Sequence, residues 1–365
     1  MDGPQLISLL LKWYDIFGRD LPWRYKAGAI SKYEETTSQS KPDPYRIWLS
    51  EIMLQQTTVT AVIPYYKKFI DRWPNVHMLA EASIDNILTA WAGLGYYARA
   101  RNLHKSAKII SFQYGGVFPN NESDLLKLPG IGTYTAGAIA AIAFNQPTIA
   151  VDANVVRALA RLYALDVSPP KLKNLINEHS KGIISKTRPG DFLQALMDLG
   201  ATICTPRNPN CSHCPVVSLC QANRIGNPSN FPKKSKKIIP PQYFGVAFWT
   251  VKQNGEIFFR RRPETGLLGG MMEVPGSEWS LIQPKLEDMI SFAPCPGSWH
   301  LTQGNVNHRF THFKLQLWVF RGSVDDRCLR QSGQWVNHSL FDELALPTLT
   351  KKIINHISST NLVEL

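Results

Sequence analysis

The stretch LPGIGTYTAGAIAAI, residues 128–142, decides the fold of the first part of the chain. Its first five residues form a glycine-containing turn between two helix-like segments, residues 124–127 and 133–142. Gly130 and Gly132 allow positive φ in this turn, and the amides at the start of the second helix suit a phosphate group. The stretch therefore predicts a helical hairpin that binds nucleic acid independently of its sequence. An ordinary glycine-containing helix turn is the alternative that fits the same residues.

The charge of the whole chain favours a polyanionic partner. Its 365 residues include 40 Lys and Arg against 28 Asp and Glu, a formal net charge of +12 at pH 7. Nucleic acid fits this excess best, because an anionic membrane would call for a basic amphipathic helix or a lipidation signal. We recognise neither, and proline and glycine break the longest uncharged window, residues 128–151. We expect no membrane association.

The first residues, MDGP, lack the basic and apolar segments of a secretory signal. We therefore expect a cytoplasmic protein, associated with the nucleoid if the source is bacterial.

Cysteine spacing predicts a metal site near residue 210. Four cysteines with the spacing C-x6-C-x2-C-x5-C fall within seventeen residues: Cys204, Cys211, Cys214 and Cys220. In a reducing cytosol such a group favours metal over disulfides. Zinc is the alternative, but only the central pair has the spacing of a zinc knuckle, and the wider outer gaps favour a [4Fe-4S] cluster. Cys295 and Cys328 lie alone and are interpreted as ordinary thiols.

Composition divides the chain into two domains. Helical periodicity dominates residues 1–224, and residues 225–241 have the proline, glycine and lysine content of a linker. In residues 242–365, three short strands are predicted at residues 243–251, 256–261 and 312–320, the first two joined by the hairpin dipeptide Asn254-Gly255. The second domain is therefore predicted to be α+β. A polar segment at residues 25–41 is predicted to be a surface loop.

Two acids in the first domain have the context of catalytic groups. Glu51 lies in a helix-like segment with Trp48 and Leu54 on the same face, which predicts partial desolvation and a raised pKa. Asp152 directly precedes an apolar-periodic helix and is predicted to be its N-cap, which keeps the carboxylate ionised and able to face a developing cation. A wet helix edge for Glu51 and a purely structural cap for Asp152 are the alternatives.

Several segments together resemble one enzyme family. They are LPWR at 21–24, WLSEIMLQQT at 48–57, GLGYYAR at 93–99, LPGIGTYT at 128–135, DANVVR at 152–157 and the four cysteines. Residues 10–224 resemble the helix-hairpin-helix DNA glycosylases with an iron-sulfur loop, specifically the adenine DNA glycosylases of the MutY type. Residues 265–275 and 308–313 more loosely resemble the Nudix-like domain of the same enzymes.

The resemblance implies a mainly α, two-lobed helix-hairpin-helix glycosylase domain with a [4Fe-4S] loop, followed by an α+β Nudix-like domain. It implies excision of adenine opposite 8-oxoguanine or guanine in double-stranded DNA, by a monomer, after base flipping. In this reading Glu51 protonates the purine and Asp152 faces the sugar cation, as paired carboxylates do in sugar hydrolases. Asn154 and Tyr134 orient these two acids.

The resemblance also suggests the DNA contacts. Gln56 with Tyr96, flanked by Thr57 and Leu94, is predicted to fill the vacated base stack, and Gly130 and Gly132 to hold phosphate. Thr311 and His312 are predicted to contact 8-oxoguanine.

Three features of the sequence limit or modify the resemblance. The chain has no Lys from 128 to 170 for Schiff-base chemistry, so we predict a monofunctional glycosylase, with Lys127 as the nearest amine. Acids between 266 and 312 are too sparse for a Nudix magnesium helix, so we predict that this domain recognises DNA rather than hydrolyses diphosphates. Ala153, Met272 and Val274 depart from common family residues. A non-catalytic DNA-binding protein with a metal-stabilised loop is the alternative function.

Overall fold

The computed structural model describes residues 3–25, 42–233, 239–324 and 332–360. Most of the polar segment 25–41, part of the predicted linker and Cys328 therefore lie outside the described residues. The chain divides into two compact units: Met1–Glu81 with Asn102–Lys237, and Ala82–Arg101 with Ile238–Leu365. The domain boundaries suggested by composition stay predictions.

The described helices follow the predicted helical periodicity. They are α1 (Gly3–Phe17), α2 (Pro44–Leu54), α3 (Val59–Arg72), α4 (Val76–Glu81), α5 (Ile84–Trp91), α6 (Ala98–Gln113), α7 (Glu122–Leu125), α8 (Thr133–Phe144), α9 (Ala153–Leu162), α10 (Pro169–Lys181), α11 (Pro189–Asp198), α12 (Gln221–Arg224), α13 (Leu286–Met289) and α14 (Thr348–Ser359). Between α11 and α12 lie a π-helical turn, Leu199–Ile203, and two 3₁₀ turns, Cys211–His213 and Val217–Leu219.

Local capping explains where the two acid-bearing segments begin. Asp43 caps α2 by accepting a hydrogen bond from the amide of Tyr45, and Pro44 occupies the first helical position. Asp152 caps α9 by accepting from the amide of Val155, as predicted from its place before an apolar helix. Both acid-bearing segments thus start where the sequence indicates.

The core of the first unit surrounds α8. Residues 135–141 of this helix are all buried, which fits its alanine-rich sequence without a polar face. Gly190 at the start of α11 permits close packing, since a Cβ there would lie 2.8 Å from the carbonyl oxygen of Ala141. This packing places the ends of α2, α8, α9 and α11 around one cavity, described below.

The second unit contains a seven-stranded sheet, which confirms the predicted α+β class. Its strands are β1 (Gln242–Val251), β2 (Ile257–Arg261), β3 (Met272–Glu273), β4 (Ser298–Leu301), β5 (Val306–Arg309), β6 (Lys314–Ser323) and β7 (Gln334–Val336). The main order is β3-β2-β1-β6-β4, with β5 also paired to β6 and β7 to β2. β1 and β6 are parallel, from Gln242 opposite Lys314 to Val251 opposite Ser323. The hairpin at Asn254-Gly255 is present, with Gly255 at φ +85°.

Alternation along β1 sends its side chains to two cores. Ala247 and Trp249 belong to the core on one face of the sheet. Val246 and Phe248 belong to the core on the other face. This period of two is the expected signature of a strand covered on both sides.

Residues 82–101 pack within the second unit, which the sequence analysis did not anticipate. The guanidinium of Arg261 forms two bonds with the carboxylate of Asp85, at 2.6 and 2.9 Å. The side chain of Arg101 donates to the carbonyl oxygen of Gly269. The second unit therefore combines a segment from the helical half of the sequence with the C-terminal sheet.

No helix within residues 3–25, 42–233, 239–324 or 332–360 is long and apolar enough to cross a membrane.

Candidate active site

One cavity in the first unit gathers the four predicted catalytic residues. It has a volume of about 990 Å³, large enough for a small ligand. Glu51 from α2, Tyr134 from α8, and Asp152 and Asn154 from the start of α9 all line its wall. We call this space the main cavity. It joins two acids that lie a hundred residues apart in the sequence.

Glu51 is a buried carboxyl group in this wall. The residue is only 6% exposed, and its Oε2 atom has no hydrogen-bond partner among the described residues. Burial raises the pKa of Glu51 from 4.5 to about 7, because a carboxylate loses its hydration there. The charge of Asp152 adds to this rise, whereas a hydrogen bond from Tyr134 and the charge of Arg24 oppose it. Glu51 is thus an acid that still holds its proton near neutrality.

Tyr134 is held as a neutral phenol beside Glu51. Burial, followed by the charges of Glu51 and Asp152, raises the pKa of Tyr134 well above 10. A phenol that stays protonated can donate a hydrogen bond to the Glu51 carboxylate and fix its position.

Asp152 is fixed on both of its oxygens. Its Oδ1 accepts from the amide of Val155 at 2.7 Å, and its Oδ2 accepts from Nδ2 of Asn154 at 2.9 Å. Asn154 is itself oriented, because its Oδ1 accepts from Nη2 of Arg157 at 2.7 Å. Arg157 also donates to the carbonyl oxygen of Cys204 at 2.7 Å. This chain of hydrogen bonds orders the carboxylate without burying it fully.

A buried ion cluster in the cavity wall was missed by the sequence analysis. Arg24 makes two bonds to the carboxylate of Asp198, at 2.6 and 2.7 Å, and Arg19 binds the same group at 2.6 Å. Asp198 is fully buried; although burial opposes the change, Arg24 and Arg19 lower the pKa of Asp198. Arg19 and Arg24 also line the main cavity. The segment LPWR was the available signal, but nothing in it points to an acid 174 residues away.

The end of α2 connects the main cavity to the predicted hairpin. Nε2 of Gln55 donates to the carbonyl oxygen of Gly130 at 3.3 Å and to Oγ1 of Thr135 at 3.1 Å. The next residue, Gln56, has φ +57°, a left-handed conformation that costs energy outside glycine. Gln56 and Thr57 line the main cavity, and their predicted contact with the base stack stays a prediction.

Only one of the two hairpin glycines uses positive φ. Gly130 has φ +81°, whereas Gly132 is the extended N-cap of α8 with φ −97°. Gly132 would also allow positive φ but does not use it. An N-cap needs an extended residue, and glycine meets that need without a side chain.

In the second unit the structure brings together two other predicted contacts. The hydroxyl of Tyr96, at φ +49°, hydrogen-bonds to the hydroxyl of Thr311. Thr311 and His312 are both exposed, and Tyr96 is 39% exposed, whereas Leu94 is buried at 7%. Glu273, an acid of the Nudix-like segment, is bound by Arg260 at 3.0 Å and by Arg262.

The four clustered cysteines line a second, small cavity. It is bounded by Cys204, Cys211, Cys214, Cys220 and Arg161, among other residues. Four thiols around one small cavity fit a [4Fe-4S] cluster, in which each iron is bound to one cysteine sulfur.

The chemistry of the thiols also fits a cationic cluster. Burial raises the pKa of Cys214 to about 12, so a positive charge is needed there to hold the thiolate. Arg161 is 2% exposed and its Nη1 lies 3.4 Å from Sγ of Cys204.

Lys127 does not line the main cavity. Its ammonium pairs with the carboxylate of Asp124 at 2.7 Å on the surface.

Comparisons with known proteins agree across the chain. Residues 49–183 match the family model of the HhH-GPD superfamily base excision DNA repair proteins, residues 204–220 that of the iron-sulfur binding domain of endonuclease III, and residues 246–356 that of the NUDIX domain. Adenine DNA glycosylase of Mus musculus is 36% identical over 95% of this chain and 76% of its own length. The enzyme of Buchnera aphidicola (subspecies Baizongia pistaciae) is 34% identical over 96% of both chains.

Among solved structures, a thermostable thymine-DNA glycosylase is similar to more than half of the chain. It is 28% identical, with a TM-score of 0.52, over 61% of this chain and 97% of that one.

Proposed function

The chain belongs to the adenine DNA glycosylases, and we propose that it removes adenine mispaired with 8-oxoguanine or guanine in double-stranded DNA. Membership makes it a DNA N-glycosylase of base excision repair with a [4Fe-4S] cluster, so the alternative of a non-catalytic DNA-binding protein is wrong. The observation that carries the proposed mechanism is that Glu51 and Asp152 line one cavity. We further propose that the enzyme acts as a monomer. We propose the cytoplasm as its location, in association with the nucleoid if the source is bacterial.

The main cavity would receive the adenine after it rotates out of the helix. An intrahelical base is inaccessible, and unstacking costs a few kcal/mol, less for a mispair. Gln56, which lines the cavity with Thr57, would enter the space that the adenine leaves. Tyr96 and Leu94 belong to the second unit, and their predicted part in filling that space stays a prediction. Gly130 and Gly132 would hold the backbone phosphate, since the N-terminus of α8 offers amides and a positive dipole end.

Glu51 would supply the proton that makes adenine a leaving group. The proton moves from the Glu51 carboxyl to N7 of the purine, the bond between C1′ and N9 breaks, and its electron pair goes to N9. A carboxyl with a pKa of about 7 suits this role, because it is protonated at working pH yet acidic enough to transfer. Tyr134 would orient it.

Asp152 would face the positive charge left on C1′ and O4′ of the sugar. Its carboxylate, held by Val155 and Asn154, would stabilise that charge directly or through a transient ester before water adds. The proton lost by the attacking water returns to the Glu51 carboxylate, so the acid is restored. These two roles fit the burial of Glu51 and the two hydrogen bonds that hold the Asp152 carboxylate.

The enzyme would be monofunctional. A bifunctional glycosylase needs an amine at the sugar, and Lys127 is paired with Asp124 outside the main cavity. The [4Fe-4S] cluster bound by the four cysteines would order the loop 204–220 and present nearby cations such as Arg207 to phosphate.

Recognition of the opposite base would fall to the second unit. The Thr311 hydroxyl would accept the N7 proton that 8-oxoguanine carries and guanine lacks, with His312 beside it. A hydrogen bond of this kind is worth ~1–3 kcal/mol in discrimination.

The test is excision from duplexes with adenine opposite 8-oxoguanine, guanine or thymine. After alkali, we expect cleaved strands from the first two and far less from the third. Borohydride added during the reaction is expected to trap no protein–DNA adduct. Equal excision from all three duplexes would contradict the proposed substrate, and efficient trapping would contradict the monofunctional assignment.

A further inference from the structure

The residues proposed to read 8-oxoguanine lie on a four-residue turn between β5 and β6. We call Phe310–Phe313 the recognition turn. Arg309 pairs with Lys314 at its base, and the amide of Phe310 donates to the carbonyl oxygen of Phe313 at 2.9 Å. Thr311 and His312 are exposed, whereas the two phenylalanines are half-buried. The turn therefore presents two polar side chains outward and anchors itself by two aromatic ones.

Trp279 lies beneath both aromatic anchors. Its ring centroid is 5.5 Å from that of Phe310, tilted by 32°, and 6.1 Å from that of Phe313. The two phenylalanine rings are 4.6 Å apart. The three rings thus form one contiguous cluster of tilted aromatic contacts under the recognition turn, with all centroids within the range of favourable ring pairs.

The indole of Trp279 is itself held from several sides. The next residue, Ser280, exchanges two backbone hydrogen bonds with Phe244 of β1, at 2.8 and 2.9 Å. The ring lies directly on β1, since a Cβ at Gly245 would be 2.8 Å from Cδ1 of Trp279. On another side the Arg262 guanidinium lies 5.4 Å from the ring centroid and is bound by Glu273.

This arrangement serves a purpose beyond burial. An exposed turn normally samples several conformations, and ordering it upon contact with DNA costs conformational entropy. Because Phe310 and Phe313 pack on a fixed indole, the turn is already ordered before it contacts DNA. Less conformational entropy is then lost on binding. Specificity that depends on one hydroxyl requires that hydroxyl to be in place, because a misplaced donor or acceptor does not discriminate.

We propose that Trp279 is a positioning residue for recognition of the base opposite adenine. It fixes the recognition turn so that Thr311 meets the oxidised base in one orientation. The inference rests on the proposed function of Thr311, and it adds the residue that makes Thr311 selective. Trp279 is not among the residues that line the main cavity, so we expect it to govern the choice of mispair and not the chemical step.

The test compares Trp279 variants with a matched tryptophan. Trp299 belongs to the same unit and packs edge-to-face on Phe248 at 5.1 Å, in the core that contains none of the recognition-turn residues. Adenine excision opposite 8-oxoguanine and opposite guanine is measured as a function of duplex concentration, with enzyme limiting, for Trp279→Ala, Trp279→Leu, Trp279→Phe and Trp299→Phe. The readout is the ratio of the two kcat/KM values, together with the melting temperature.

We expect Trp279→Ala and Trp279→Leu to lower the ratio about fivefold or more, the loss of roughly one hydrogen bond. Trp279→Phe keeps an aromatic anchor and is expected to retain the ratio within about twofold, as is Trp299→Phe. Trp279→Leu keeps apolar volume, so it tests the inference even if Trp279→Ala does not fold.

Two results would overturn the inference. If Thr311→Ala lowers the ratio but Trp279→Leu leaves it unchanged, Trp279 does not position the recognition turn. If Trp299→Phe lowers the ratio as much as Trp279→Leu, the effect is general destabilisation. A wild-type ratio near one would instead contradict the proposed substrate preference itself, and the inference with it.

Discussion

The main cavity and the recognition turn place their proposed functional side chains in opposite environments, one buried and the other exposed. Glu51 in the cavity is 6% exposed, and desolvation sets its acidity. Thr311 in the turn is exposed; its hydroxyl is hydrogen-bonded to that of Tyr96, and the turn that carries it packs on aromatic rings. A carboxyl group becomes a proton donor near neutral pH when burial removes its hydration. A side chain that recognises a base must instead keep its polar atom at the surface. Substitutions in the two regions should therefore affect different quantities.

The largest expected effect is on the chemical step in the cavity. Glu51→Gln keeps the side-chain shape but removes the transferable proton, so we expect the excision rate to fall about 10³-fold, within the usual range for a general acid. Single-turnover rates with adenine opposite 8-oxoguanine measure it, and a filter-binding assay checks that DNA is still bound. Excision within tenfold of wild type would remove Glu51 from the mechanism.

Removal of the second charge should have a smaller effect on the same step. Asp152→Asn retains a capping side chain for α9 but loses the carboxylate that we propose faces the sugar, and we expect a loss of about 10²-fold from missing electrostatic stabilisation. The exposed Asp166→Asn is the matched control and should leave the rate unchanged. Equal rates for the two variants would show that the charge of Asp152 is not used.

The buried Glu51 also makes the free energy of unfolding depend on pH. Because the folded pKa of Glu51 is raised from 4.5 to about 7, the folded state keeps a proton that the unfolded state releases. The stability that this proton provides is complete below pH 4.5 and is lost as pH rises through 7. At about 1.4 kcal/mol per pKa unit, the free energy of unfolding that is lost when Glu51 ionises is roughly 3 kcal/mol at most.

Glu51→Gln should therefore gain stability relative to wild type as pH rises. We expect its advantage in unfolding free energy to be about 2 kcal/mol larger at pH 8 than at pH 5, measured by urea denaturation. Glu178→Gln, an exposed site on α10, should show no such difference. A pH-independent advantage for Glu51→Gln would mean that the carboxyl is not desolvated.

The smallest expected effect belongs to the recognition turn. Thr311→Ala removes one hydroxyl, and we expect the preference for 8-oxoguanine over guanine to drop about fivefold while excision opposite guanine stays near wild type. Competition between the two duplexes in one reaction measures this preference. An equal loss of excision on both duplexes would mean that Thr311 acts in the chemical step. The two regions would then not differ in what they control.

Local patterns in the sequence identified much of this molecule. The cap at Asp152, the strand alternation along β1, the hairpin at Gly255 and the cysteine spacing each depend on neighbours within a few residues. For that reason the fold class was predicted correctly and is confirmed, together with the [4Fe-4S] cofactor.

Features that depend on distant residues could not be predicted from those patterns. The partnership of Arg24 with Asp198 and the placement of residues 82–101 in the second unit follow from packing alone. The same is true of the left-handed backbone at Gln56 and of Trp279 under the recognition turn. No local sequence signal distinguishes this indole from a buried core tryptophan such as Trp299.

A pH profile of adenine excision tests most directly whether burial makes Glu51 an acid. Single-turnover rates of wild-type enzyme with adenine opposite 8-oxoguanine would be measured from pH 5.5 to pH 9, with DNA saturating. We predict that the rate declines above a pKa of about 7, roughly tenfold per pH unit at the alkaline end. A rate that stays constant up to pH 9 would contradict the account.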